Sequence, residues 1–453
     1  MYESGLMQIG NCQKLTQSRP LNQFFAILLK MQNMFNQFLN HWSTYLDRRC
    51  SKTNLIKDLN TLESSGYFWF ACNRGYSQSK TVSKNRIILN IVVDLWSVLA
   101  TVRFLLLAIF SSDLFKIMLG DHQLGIPGED AFNLLSFIAA SMFLIVHLSI
   151  GYLEWNNNFT VIRVFHQIRQ LHFNLDKIMG SYNCSNFRRV FFFMSQSHAI
   201  MTKVTCVGTA GLFITNMVLF DASKYKNEII SYKQFFFLEL IWLAIIIVPM
   251  VVLIHNVFWS FTHIILLIVY TSLCLDFLYS SIDSNNQLVP ATVLIDIFIK
   301  KQNYYYNQLL ITERQLSPIT LAGYIIGSLM ADFALFYGLF IKTGSVLFNV
   351  LTITLGIVAF GALTLLNIIA ATTVDKVKKC RLMNYWIIRS GQSKTLSSQI
   401  KLIAIFERLS THPVGFFVGR LFVIDNHRFL LFLLENISIL LLFITNMTRL
   451  WKN

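Results

Sequence analysis

The chain has 453 residues, of which 54% are hydrophobic, 14% aromatic and only 13% charged. That much apolar surface exceeds what one soluble core can bury, so the composition excludes an ordinary soluble domain and points to an integral membrane protein. The formal net charge of +15 reads as cytoplasmic basic segments and contacts to anionic lipid headgroups, not as nucleic-acid binding, because no soluble domain interleaves basic with aromatic residues.

From Met1 to about Arg86 charges are scattered, and no compact basic, apolar and small-residue sequence marks a cleavable signal peptide, so the first span is expected to act as its own targeting signal. Phe24 to Phe38 is interrupted by Lys30, Gln32, Asn33 and Gln37 and reads as an amphipathic helix lying on the membrane. A hydrocarbon core of about 30 Å takes roughly 20 mostly apolar residues per helix. That filter selects 87–110, 131–153, 200–220, 235–257, 319–341, 346–371 and 428–447, an all-α protein of seven spans. The apolar stretch 235–278 holds Pro249 and a weak polar break at Ser260, Thr262 and His263, and reads either as two passes or as one long helix.

Basic residues decide the orientation, since Lys and Arg accumulate in short cytoplasmic segments. They are dense before the first span, whereas the next connection has Asp113, Asp121, Glu129 and Asp130 against one Lys116. One pass at 235–278 keeps the basic segments 156–199 and 372–427 on the inner side. The expectation is therefore an N-terminus inside, a C-terminus outside and a fourth helix running into the cytoplasm. The corresponding division is a cytoplasmic region 1–86, a channel domain 87–447 with a cytoplasmic anchor at 258–318 and 372–427, and an external tail 448–453.

The seven cysteines fall in spans or inner segments, and neither they nor the ten histidines show paired or metal-ligand spacing. No metal site, cofactor or extracellular disulfide is expected. The sequons at Asn158 and Asn183 lie on the inner side in this topology. Phosphate loops, HExxH and nucleophile elbows are absent, so an enzyme is not expected.

Ionisable groups within spans are functional candidates by default: Asp94, Arg103, His147, Glu239, Asp332 and Glu435. Asp94 and Arg103 lie on opposite faces of their helix, so each needs a partner elsewhere. Lys203 and His255 read as snorkelling at helix ends. The outer halves of the second to sixth spans offer Asn133, Phe137, Phe213, Asn216, Glu239, Trp242, Asp332, Tyr337 and Asn349, apolar walls with few polar anchors, as a small-ligand site.

Seven inverted spans, a long fourth helix, a close fifth-to-sixth connection, a basic segment before the last helix, and Gly419, Phe422 and Asp425 just ahead of it resemble the arthropod gustatory receptor family. That family carries Thr-Tyr, five apolar residues and Gln-Phe in its last span. Here the positions hold Ser438-Ile439, Leu440 to Ile444, and Thr445-Asn446, which marks a divergent member. The resemblance implies a tetrameric, ligand-gated, weakly selective cation channel in the plasma membrane, assembled from one or several related chains and opened by a small-molecule tastant. It places Leu442, Thr445 and Asn446 at the outer gate of a pore lined by the last helix. The three-to-four-residue spacing of Ser438, Leu442, Thr445 and Asn446 independently gives one face with an apolar constriction and a polar wall. A rhodopsin-like G-protein-coupled receptor and a small-solute transporter are the alternatives. The first lacks its triplet and Asn-Pro-x-x-Tyr signatures here, and the second lacks an internal repeat.

Overall fold

The structure is a computed structural model that describes residues 52–76, 82–110, 112–121, 128–156, 159–172, 174–216, 240–283, 291–341, 346–389, 395–411 and 414–450. The expected amphipathic helix at 24–38 lies outside them. All described residues belong to one compact unit, Lys52–Asn453.

The elements are α1 (Lys52–Phe68), α2 (Lys84–Ile109), α3 (Asp113–Met118), α4 (Glu129–Trp155), α5 (Thr160–Leu171), α6 (Leu175–Met179), α7 (Ser181–Asn216), α8 (Leu240–Asp283), α9 (Ala291–Phe340), α10 (Val346–Arg389) and α11 (Leu396–Thr411). A short hairpin of β1 (Phe417–Val418) and β2 (Phe422–Val423) then leads into α12 (Asn426–Leu450).

Six of these helices are long and apolar enough to cross a membrane: α2, α4, α8, α9, α10 and α12. The chain is a multi-pass membrane protein. The expected span at 200–220 corresponds to the end of α7, which is described only to Asn216 and is not among the six.

The described part of the stretch 235–278, from Leu240 onward, is one helix. α8 runs unbroken for 44 residues through Pro249, about 66 Å at 1.5 Å per residue and twice the hydrocarbon thickness. α9 and α10, of 50 and 44 residues, overrun a bilayer in the same way. The surplus length of all three builds a helical bundle with α1, α5, α6 and α11. This bundle holds most of the core, including Leu59, Phe165, Phe187, Phe191, Trp259, Phe298 and Val377. Among the described residues, the opposite end, which carries α3, has two small clusters, one around Phe104, Ala140 and Ile246 and one around Leu135, Met142 and Met330.

Periodicity explains this division. On α2 the buried positions Val93, Ser97, Ala100, Phe104 and Leu107 form one stripe, while Ile88, Ile91, Leu95, Leu99 and Val102 remain exposed. An apolar helix with an apolar outer face is at rest in lipid, where exposure of leucine and isoleucine carries no penalty. α9 and α10 approach closely through glycines. A Cβ on Gly338 would meet Asn349 O and Ile353 N at 2.9 Å, and one on Gly356 would meet Ala331 O and Leu335 N at 3.0 Å. Small residues at helix contacts let backbones approach this way.

The residues ahead of the last helix have local structural roles. Gly419 sits at φ +59° in the hairpin turn, a conformation that favours glycine. Phe422 packs on Tyr324 with ring centroids 5.5 Å apart. Asp425 caps α12, its Oδ1 accepting from Arg428 N at 2.9 Å.

Candidate functional site

Arg103 holds the α3 end together. It is buried on α2, where its Nε donates to Leu119 O at 2.6 Å and its second nitrogen to Gly120 O. The guanidinium thus satisfies carbonyls that a six-residue helix leaves open. Trp242 of α8 donates its indole N–H to Met118 O at 2.9 Å, and the Arg103 guanidinium lies 5.4 Å from its ring centroid. Gly120, at φ +64°, has no room for a side chain, because a Cβ would stand 2.8 Å from Trp242. Lys116 is buried and bonds Asp130 at 2.6 Å and also Glu129. Burial pulls the Lys116 ammonium down, but its hydrogen bonds to Asp130 and Glu129 and their charges outweigh this, and its pKa is raised. Asn133 of α4 donates to Asp121 at 2.9 Å. Two candidate ligand residues, Asn133 and Trp242, are therefore brought together around α3 with these donors already engaged.

Tyr337 lies on the other side of α4. It is fully buried, its ring 5.9 Å from Phe132 and 6.3 Å from Phe348, and its hydroxyl has no hydrogen-bond partner. Asn349 donates to Ile341 O at 3.1 Å nearby. Phe143 of α4 packs against both small clusters and so connects the Trp242 side with the α9 side.

Asp332 does not join this group. Five residues from Tyr337, it is rotated by about 140° around α9. It occupies the stripe that α12 crosses, between Tyr324, which meets Phe432, and Phe336, which meets Phe443. Glu239 lies outside the described residues, as do the side chains of Asn216 and Phe213.

The gate candidates share the uncovered flank of α12. Ser438, Leu442, Thr445 and Asn446 are all exposed, Leu442 by 56%. Ser438 donates to Leu434 O at 2.8 Å and Thr445 to Leu442 O at 3.0 Å. Only 11% of the apolar window of α12 is buried, against 39% for α2 and for α4.

Of the intramembrane charges, Asp94 and Arg103 do take partners on other elements. Asp94 accepts from His147 Nε2 at 2.8 Å, and His147 Nδ1 lies 2.7 Å from Asn256 Nδ2. The amide donates there, which leaves the imidazole proton on Nε2, facing the carboxylate.

His255 departs from the snorkelling expectation. It is buried in a polar cluster where α1, α7 and α8 meet, with Ser65 Oγ 3.3 Å from its Nε2 and Thr202 Oγ1 3.1 Å from its Nδ1. His198 Nε2 is 3.2 Å from the same Ser65 oxygen. Two turns further along α8, His263 bridges Trp259 O at 2.7 Å and the Tyr76 hydroxyl at 2.7 Å. Sequence spacing could not reveal this cluster, because its members come from segments up to 190 residues apart.

Two hollows are lined by Ile56, Lys57, Asn60, Thr61 and Ser64 and, with a volume of about 40 Å³, by residues that include Cys274, Phe277, Lys301 and Tyr305. No candidate ligand residue lines either one. Among the described residues no group of three or more His, Cys, Asp or Glu side chains could hold a metal ion.

No protein-family model matches the sequence, and no curated protein matches it. Among solved structures, the chain is similar to the insect olfactory receptor OR5 from Machilis hrabei in complex with eugenol. The TM-score is 0.60 at 13% identity, covering 87% of this chain and 97% of that one. A second structure of OR5 from Machilis hrabei aligns with a TM-score of 0.49 at 12% identity, covering 80% and 89%. With long α8, α9 and α10 running past the bilayer and a lightly covered last helix, the chain has the fold of an insect olfactory receptor.

Proposed function

We propose that this chain is a gustatory receptor-like chemoreceptor, a ligand-gated, weakly selective cation channel of the plasma membrane that responds to small-molecule tastants. The observation that carries the reading is α12. It packs through one stripe, Phe432, Asn436 and Phe443, and leaves a second flank of Leu434, Ser438, Leu441, Leu442 and Thr445 uncovered. A helix with apolar and hydroxyl side chains alternating along its open flank suits a wall shared by four subunits around a water pathway. Leu442 supplies the apolar constriction, Ser438 the wall below it, and Thr445 and Asn446 the mouth.

The shared fold supports the same class, because the matched receptor was solved with eugenol, a small organic ligand. In this chain the ligand site is the α3 end of the bundle. Trp242 and Asn133 stand on one side of α4 and Tyr337 on the other, and the sequence adds Glu239 and Asn216 as further candidates. The unpartnered Tyr337 hydroxyl is the group in this set with hydrogen-bonding capacity to spare. The N-terminus lies inside, the C-terminus outside, and the bundle of α1, α5, α6 and α11 with the ends of α8, α9 and α10 forms the cytoplasmic anchor. No catalysis and no cofactor are part of this reading.

Expression in cells, alone and with related receptors, followed by whole-cell recording against a panel of small tastants, tests the proposal. A ligand-evoked cation current that Tyr337→Phe weakens at unchanged surface level is the expected result. A tag after Asn453 that is accessible only in permeabilised cells would contradict the orientation and favour the G-protein-coupled alternative.

A further inference from the structure

Tyr324, Ser328, Asp332 and Phe336 recur every four residues along α9 and make one stripe, and Phe432, Asn436 and Phe443 make the matching stripe on α12. The two stripes face each other. Tyr324 meets Phe432 with ring centroids 4.6 Å apart, and Phe443 meets Phe333 and Phe336 at 5.7 and 5.4 Å. Between these contacts α12 passes over the stretch of α9 that holds Ser328 and Asp332. Counting from the ring pairs, Asn436 is level with Ser328, and Asp332 stands one turn further on, about 6 Å along the axis.

Both polar residues in this crossing are short of partners. Asp332 is 2% exposed and its Oδ2 has no hydrogen-bond partner. Asn436 is 3% exposed; its Nδ2 donates to Phe432 O at 2.7 Å, while its Oδ1 is left without a donor. The Ser328 hydroxyl donates to Ile325 O at 3.2 Å and keeps its oxygen lone pairs free. The nearest basic side chain on α12, Arg428, lies two turns below Asn436 over the Phe422 ring, 5.3 Å from its centroid.

Buried acceptor oxygens without donors are costly, and an unpaired carboxylate within a membrane span is more so. Carboxylate, amide and hydroxyl oxygens are the ligands that hard cations prefer. Glu435, next to Asn436, acts on Tyr324 but is itself exposed, so Asp332 is the buried negative charge of the seam; it neutralises one positive charge, whereas a divalent ion would leave a net charge there. We propose that Asp332 and Asn436, with Ser328 beside them, hold a monovalent cation of sodium or potassium size between α9 and α12. Its occupancy fastens the last helix to the fifth expected span. The site is separate from the ligand residues around α4, and it does not depend on the chain conducting current.

The test uses the purified full chain in detergent and reads thermal stability, so it stands or falls apart from the channel proposal. Sodium or potassium chloride is titrated from about 1 to about 300 mM against N-methyl-D-glucamine chloride at constant ionic strength, which separates specific binding from screening. The expected result is a saturable rise in Tm with the small cations. Asp332→Asn should abolish the rise, and Asn436→Ala should move its midpoint at least about tenfold upward. Equal Tm in all three salts, or a rise that survives both substitutions, overturns the proposal. So does a Tm that responds to acidification but not to the cation, because Asp332 is then a neutral acid. Should Asp332→Asn fail to fold, the titration of the native chain and of Asn436→Ala still decides.

Discussion

Arg103 shows how a single side chain is repurposed by the fold. Its position within an apolar helix marks it as needing a partner, and that much is legible in the sequence. The partner is a pair of backbone carbonyls, Leu119 and Gly120, in a segment with no pattern of its own. In the sequence only the need for a partner elsewhere is visible, and backbone carbonyls carry no sequence signal, so the identity was hidden. Arg103→Met keeps the aliphatic stem and removes the donors. It is expected to cost on the order of 2–3 kcal/mol, the value of charge-assisted bonds lost from a buried site. Faster hydrogen exchange confined to Asp113–Asp121 would show the loss.

Asp58 provides a pH signature on α1. Burial pushes its carboxyl up to about 6, with Lys57 pulling the other way. A carboxyl whose folded pKa exceeds its unfolded value takes up a proton more readily when folded, so stability falls as pH rises from about 4 through about 6, and the cost is fully present above that. Asp58→Asn should therefore raise Tm at pH about 7.5, by the equivalent of on the order of 1–2 kcal/mol, and make no difference at pH about 4. Parallel pH curves for the two proteins would contradict the assignment.

Among elements, the long helices were the most legible and the ends of the bundle the least. The apolar run 235–278 places α8, whose continuity through Pro249 followed from where the basic residues fall, while 319–341 and 346–371 mark only the apolar parts of α9 and α10. Pro249 removes one donor, and a helix packed among neighbours can absorb that loss. The α1 docking and the histidine cluster were not legible, because Trp259, His263, Tyr76 and His198 meet only after α1 folds back against α7 and α8. His255 was misread for the same reason: a polar residue near a helix end looks like a snorkelling group until a second helix covers it.

The α9–α10 contact was carried by glycines that a hydropathy scan counts as neutral. Gly356→Leu would drive side-chain atoms into Ala331 O and Leu335 N. The cost of overpacking is about 1–3 kcal/mol, and the backbone on the other side gives it no room to relax. Reduced surface expression with a lowered Tm is the expected outcome, whereas Gly361→Leu, at a glycine with open space around it, should be tolerated.

For the whole molecule, the candidate site was only partly legible. Trp242 and Tyr337 stand on either side of α4, which carries Asn133, but Asp332 lies about 140° around α9 from Tyr337, since one helix can present two polar residues to different neighbours. The exposed flank of α12 carries Leu434, Ser438, Leu441, Leu442 and Thr445. In the proposed channel, Leu442→Ser would place a hydroxyl in the apolar constriction, where wetting would open the gate. Basal current without ligand should rise several-fold at equal surface expression, and unchanged basal current would assign Leu442 to packing.

Cysteine accessibility along α12 tests the central claim most directly. Cysteines placed singly from Ser438 to Asn446 are treated with a membrane-impermeant thiol reagent from outside during ligand-evoked current, with the native chain as the background control. Block is expected at Thr445 and Asn446, faster with ligand present, and at Leu442 only when the channel is open. Persistent current with no position modified in either state would contradict that claim and make α12 a lipid-facing packing helix.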